Sequence, residues 1–98
     1  MEKDPSFSMD QEIDFGSFVA SLAASVLVHL GEAQEDMPDG IDAHLASARQ
    51  VIDILGMLQA KTRGNLTHEE QGLLEEVLYD LRLKFLQSTK QQSEKKLL

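Results

Sequence analysis

Hydrophobic positions recur at helical spacing in three stretches of the chain, and no stretch alternates with the period of two that a half-buried strand requires. The first stretch runs from about residue 13 to 30, the second covers about 42–62, and the third covers about 68–88. The pattern therefore predicts an all-α fold of three helices that form a single domain over 13–88.

The first predicted helix is apolar or small around its whole circumference. Phe18 and Leu22 belong to a bulky stripe, while serine recurs at every fourth position from Ser17 to Ser25. A helix without a polar face is typical of one that is buried on several sides, and its small side chains allow a second backbone to approach closely. Gly31 follows as the expected left-handed stop of this helix.

The second and third predicted helices have recognisable end signals. Asp42 is the expected N-cap of the second helix, and Gly64 is the expected stop after it. Thr67 and Glu70 have the spacing of a capping box, in which each side chain bonds to the other residue's backbone amide. The third helix is therefore expected to begin directly after Thr67.

The three helices carry more apolar surface than one short chain can bury. The third helix alone has a main stripe and a second stripe nearly opposite, and a chain of this length buries only about 60–65% of its unfolded surface. We therefore expect a homodimeric or higher-order helical bundle, because closed two-fold dimers are the commonest oligomers. The expected interface residues are Ser17, Ala20, Ser21, Ala24, His29, Tyr79, Leu83 and Leu86.

Composition narrows the classes of partner. The 98 residues include 9 Lys and Arg against 17 Asp and Glu, for a net charge of −8, and they include no Cys. Such a chain lacks the basic face of a nucleic-acid-binding domain, and it excludes disulfides and thiolate metal sites. Acidic residues are frequent in residues 1–12, and basic residues are frequent from residue 82 to the end. We therefore expect a disordered acidic tail over 1–12 and a disordered basic tail over 89–98.

The uncharged run from Phe15 to Leu30 raises the question of a membrane span. Its sixteen residues would extend roughly 24 Å as a helix, short of the roughly 30 Å hydrocarbon core. The residues before it are acidic, whereas a signal peptide begins with a positive segment. We therefore expect no membrane span and a cytoplasmic protein.

The search for catalytic chemistry finds no nucleophile elbow, no phosphate-binding glycine loop and no His-Glu-x-x-His pair. His29 falls in the bulky stripe of the first helix. We expect a buried imidazole that bonds to a backbone carbonyl or to a second copy of the chain, in preference to a proton-linked switch or a ligand of a bound group. Asp42 and His44 are only two residues apart, so their side chains point in different directions on a helix. His68 is expected to face solvent at the start of the third helix. We expect no catalytic residue, no cofactor and no metal site.

Two segments carry a family resemblance, FVASLAASVLVHLGE and ASARQVIDILGMLQAKTRGNLTHEEQGLLEEVLYDLRLKF. Over about residues 15–86 the chain resembles a bacterial family known only as domain of unknown function 1844. The AQEDMPDG segment departs from it, since such proteins often carry a longer stretch there. The resemblance implies a small cytoplasmic helical protein and carries no activity, substrate or site residue.

Three hypotheses of function remain. The leading hypothesis is a non-enzymatic, self-associating interaction module that also binds an unidentified protein partner, because apolar faces are in surplus and catalytic motifs are missing. The first alternative is a small-molecule-binding protein or enzyme with a pocket around Ser25, His29 and Tyr79. The second alternative is attachment to a membrane surface through the first helix or the basic tail.

Overall fold

The computed structural model describes the backbone of residues 13–35 and 38–97, and the predicted acidic tail over 1–12 lies outside the described residues. The described part contains three α-helices and no strand. They are α1 (Phe15–Glu35), α2 (Pro38–Lys61) and α3 (His68–Leu97). The predicted all-α class and the number of helices are thereby confirmed.

The ends of α1 and α2 that face each other are displaced from their predicted positions. Helix α1 continues through Gly31, which keeps a helical conformation, so the predicted stop there is wrong. A glycine inside a helix costs about 1 kcal/mol relative to alanine, and the full burial of Ala33 beyond it offsets that cost. Helix α2 begins at Pro38, whose fixed φ suits a first helical position, so Asp42 lies inside the helix and is not its N-cap.

Helix α3 is longer than its hydrophobic pattern predicts. The end expected at residue 88 is wrong, because the helix continues to Leu97 through the polar segment that was assigned to a tail. Ser88 and Gln92 are buried there, and the Gln92 side-chain amide donates a hydrogen bond to the Ala33 carbonyl oxygen at 3.5 Å. The end of α3 therefore contacts the end of α1, although the polar composition of this segment predicts no such contact.

The turn between α2 and α3 follows its sequence signals. Gly64 has a φ of +86°, the left-handed conformation expected of a residue that stops a helix. The Thr67 amide donates to Glu70 Oε1 at 2.9 Å, and the Glu70 amide donates to Thr67 Oγ1 at 3.1 Å. The predicted capping box is therefore present in full.

A second reciprocal cap, between Asp14 and Ser17, begins α1. The Ser17 amide donates to Asp14 Oδ1 at 2.7 Å, the Ser17 hydroxyl donates to the same oxygen at 2.8 Å, and the Asp14 amide donates to Ser17 Oγ at 3.3 Å. These bonds favour the ionised carboxylate, so they lower the pKa of Asp14 below the ordinary value of 3.8. Ser17, which was expected at an interface, thus helps to cap its own helix.

The core consists of one buried stripe from each helix. Every stripe follows the three- and four-residue steps that place side chains on one helical face. The residues are Val19, Val26 and Leu30 of α1, Ala48, Ile52 and Leu55 of α2, and Leu74, Leu78 and Leu81 of α3.

The core position Leu78 provides a test of this arrangement. Leu78 is 1% exposed, so Leu78→Ala is expected to lower the free energy of unfolding by about 2–5 kcal/mol through lost burial and a cavity. Leu86→Ala is the matched control on the same helix, because Leu86 is 63% exposed and should lose well under about 1 kcal/mol. Urea unfolding of both variants measures the difference, and equal losses would contradict the assignment of the buried stripe.

The cap of α1 predicts a dependence on pH. Because the pKa of Asp14 is lowered on folding, its contribution to stability is present above the ordinary aspartate pKa and is lost as the pH falls through the lowered value. NMR titration of the Asp14 carboxyl carbon should give a midpoint below 3.8. Ser17→Ala removes the hydroxyl donor and should raise that midpoint, whereas Ser21→Ala, one turn later, should leave it unchanged. A wild-type midpoint at or above the ordinary value would contradict the cap.

Candidate functional site

Much of the apolar surface of α1 faces away from the core. Its residues step along the helix by threes and fours on the side opposite the buried stripe, and all of them are exposed in the single chain. We call this surface the α1 outer face, and it consists of Ser17, Ala20, Ser21, Ala24, Leu27 and Val28. The expectation that α1 is buried on several sides is therefore wrong for one copy of the chain.

The same helix is long and apolar enough, between Phe15 and Ala33, to cross a membrane by length and composition alone. The earlier estimate of 24 Å counted only sixteen residues, and the continuation of α1 beyond Leu30 removes that argument against a span. Core helices of soluble proteins and signal sequences pass the same test. Only 17% of the apolar window is fully buried, and Phe15, Leu22 and Ala23 are half-buried against the core.

A second exposed apolar surface lies on α3. Tyr79 is 72% exposed, Leu83 is 43% exposed and Leu86 is 63% exposed. These three residues, which we call the α3 outer face, lie nearly opposite the buried stripe of α3 on the helix. They correspond to the second stripe in the sequence pattern, and they lie on a different helix from the α1 outer face.

A polar cluster joins α1 to α2, and it consists of His29, Glu32 and His44. The ring centroids of His29 and His44 lie 6.2 Å apart, with their planes inclined by 34°. Glu32 follows His29 by three positions on α1, so the two side chains share one side of the helix. One nitrogen or oxygen ligand atom from each of the three residues lies within 4.8 Å of the other two. Both histidines are half-buried and Glu32 is exposed.

One ring nitrogen of His29, Nδ1, is buried without a hydrogen bond to any described residue. A bond from Nδ1 to a backbone carbonyl is therefore not among the described contacts, and the expected alternative, a bond to a second copy of the chain, stays a prediction. An unsatisfied buried polar atom costs about 1–3 kcal/mol, so its presence calls for an explanation.

This cluster was not predicted from the sequence, from which we expected no metal site. The spacing of His29 and Glu32 was a usable signal, since residues three apart on a helix share a face. As a possible metal ligand, His44 was paired only with Asp42, two residues before it on α2. Its proximity to His29 depends on how α1 and α2 are aligned against each other, which no pattern within either helix reveals.

The pocket suggested around Ser25, His29 and Tyr79 does not form. Tyr79 lies on the outer side of α3, whereas His29 contacts His44 at the junction of α1 and α2. Grooves of about 220, 350 and 450 Å³ lie elsewhere in the described part of the chain, and neither His29 nor Tyr79 lines any of them. The structure thus gives no support to an active site at the suggested position.

Comparison with known proteins adds one match. A family model described as "Domain of unknown function (DUF1844)" matches residues 12–87. No curated protein and no solved structure matches the chain. The matched range contains α1, α2, the start of α3, both outer faces and the His29 cluster.

Proposed function

This chain belongs to the DUF1844 family of domains of unknown function, and we propose that it is a cytoplasmic, non-enzymatic module that self-associates through the α1 outer face. The observation that carries this proposal is the exposure of the α1 outer face, on a helix of whose apolar window only 17% is fully buried by the rest of the chain. Exposed contiguous apolar surface favours association with another surface.

The distribution of charge favours a second copy of the chain as the partner that covers the α1 outer face. With a net charge of −8, two copies repel each other over most of their surfaces. The α1 outer face contains no charged side chain, and no Asp, Glu, Lys or Arg occurs between Phe15 and Gly31. Two copies can therefore approach each other here without bringing like charges into direct contact.

The shape of the face also suits a two-fold pair. Ala20, Ser21 and Ala24 are small, so the backbone of a second α1 can come close without a steric clash. Leu27 and Val28, at one end of the face, are 47% and 58% exposed and would be covered by the partner. In a closed dimer each copy presents the same patch, and one such face is sufficient.

Attachment to a membrane fits the face less well. Helices that lie on membranes carry Lys and Arg beside their apolar side, whereas α1 contains neither residue. The net charge of −8 also opposes binding to anionic lipid surfaces. The described features of α1 therefore favour a second copy of the chain over a lipid surface.

The proposal is tested by the mass of the full chain in solution. Wild type is expected to have at least twice the chain mass of 10.9 kDa in light scattering at micromolar concentration. The double variant Ala20→Glu, Ala24→Glu should have the mass of one chain. Pairing through this face would bury the new acidic side chains between two copies, and burial of unpaired charge is costly. Both positions are exposed, so circular dichroism should show unchanged helix content. Leu83→Glu, on the α3 outer face, is the matched control and should keep the wild-type mass.

Three outcomes would contradict the proposal. A wild-type mass of one chain at tens of micromolar would exclude self-association as the role of the face. Loss of association in Leu83→Glu alone would transfer the interface to the α3 outer face. If wild type has the mass of one chain and sediments with lipid vesicles, and the double variant does not sediment, the α1 outer face binds membranes instead.

A further inference from the structure

We propose that His29, Glu32 and His44 form a binding site for a divalent first-row transition-metal ion, with Zn²⁺ as the best-fitting ion. The site joins α1 to α2 and is distinct from the proposed self-association. Its two histidines lie between the helices, whereas the α1 outer face points away from the core. Either proposal can therefore fail without the other.

The geometry requires only small movements to close around an ion. Ligand atoms of the three residues already lie within 4.8 Å of one another. Nitrogen and oxygen ligands lie about 2.0–2.2 Å from Zn²⁺, which separates neighbouring ligands by roughly 3–4 Å. Changes of about 1 Å, within the range of side-chain torsions, would bring all three atoms to bonding distance. His29 and Glu32 share one turn of α1, so the backbone already holds two of the three ligands together.

The unsatisfied nitrogen of His29 is a second, independent observation. Its Nδ1 is buried without a hydrogen-bond partner among the described residues, although such an atom is normally paired. An imidazole can bind a metal ion through either ring nitrogen, and the choice depends on what the other nitrogen contacts. An ion bound through Nδ1 would give this buried atom the partner that the described protein groups do not supply.

The donor set defines the class of metal. Two imidazoles and one carboxylate suit Zn²⁺ and its first-row neighbours, whereas Mg²⁺ and Ca²⁺ prefer sites made of oxygen atoms alone. Glu32 brings a negative charge, and the net charge of −8 favours cations near the protein. Three protein ligands leave a fourth position of a tetrahedral ion for water or another ligand.

The expected effect of the ion is to hold the α1–α2 hairpin together. His29 and Glu32 lie near the end of α1, and His44 lies near the start of α2. An ion bound by both helices stabilises the folded chain, because the unfolded chain does not hold the three ligands together. Zn²⁺ should therefore raise the melting temperature of the protein.

Titration calorimetry of ZnCl₂ into the full chain, without a histidine tag, tests the site. Wild type is expected to bind one ion per chain. His29→Ala, His44→Ala and Glu32→Gln should each weaken binding at least tenfold. His68→Ala is the matched control, because His68 is the remaining histidine of the chain and lies exposed at the start of α3. It should bind Zn²⁺ as wild type does.

Thermal melts keep the test decisive if a histidine variant folds poorly. Glu32 is exposed and glutamine has nearly the same shape, so Glu32→Gln should fold as wild type by circular dichroism. Zn²⁺ should raise the melting temperature of wild type and His68→Ala but not that of Glu32→Gln. Absence of binding by wild type, unchanged binding by folded His44→Ala or Glu32→Gln, or loss of binding in His68→Ala would each overturn the proposal.

Discussion

The structure depends on the mutual burial of three apolar stripes, one from each helix. A chain without cysteine has no disulfide to hold the helices together, so these contacts must do so. Leu55, Leu74 and Leu78 are almost completely inaccessible to solvent, and burial of each such side chain is worth about 1.5–3 kcal/mol. These contacts determine how each helix is rotated about its axis. The rotation in turn decides which residues form the outer faces and which two histidines meet.

Helix α1 shows the consequence most clearly, because its sequence offers apolar residues on every side and the core covers only one of them. The side that contains Ala20 and Ala24 remains exposed and uncharged in a protein of net charge −8. Such a surface is compatible with solubility when a second surface covers it. The proposed self-association assigns that covering to another copy of the chain, and thereby explains why α1 has no polar face.

The edge of α1 beside α2 has a different chemistry from its outer face. His29 and Glu32 lie there, half-buried and exposed respectively, and His44 approaches them from α2. Helix α1 thus has three surfaces of different chemistry, which are the buried core stripe, the exposed outer face and the polar edge beside α2. A metal ion at the edge would strengthen the α1–α2 contact directly, and it would leave the outer face available to a partner.

The sequence alone determined the features that depend on contacts within one or two turns. The Thr67–Glu70 capping box and the left-handed Gly64 were predictable because the residues that form them are close neighbours along the chain. Periodicity likewise grouped the residues of the α3 outer face, whereas Phe18, expected in the bulky stripe of the first helix, is 42% exposed. Only the tertiary structure decided that α1 continues through Gly31, that α3 extends past a buried Gln92, and that His44 lies beside His29. These outcomes depend on the alignment of helices distant in sequence, and no pattern within a single helix encodes that alignment.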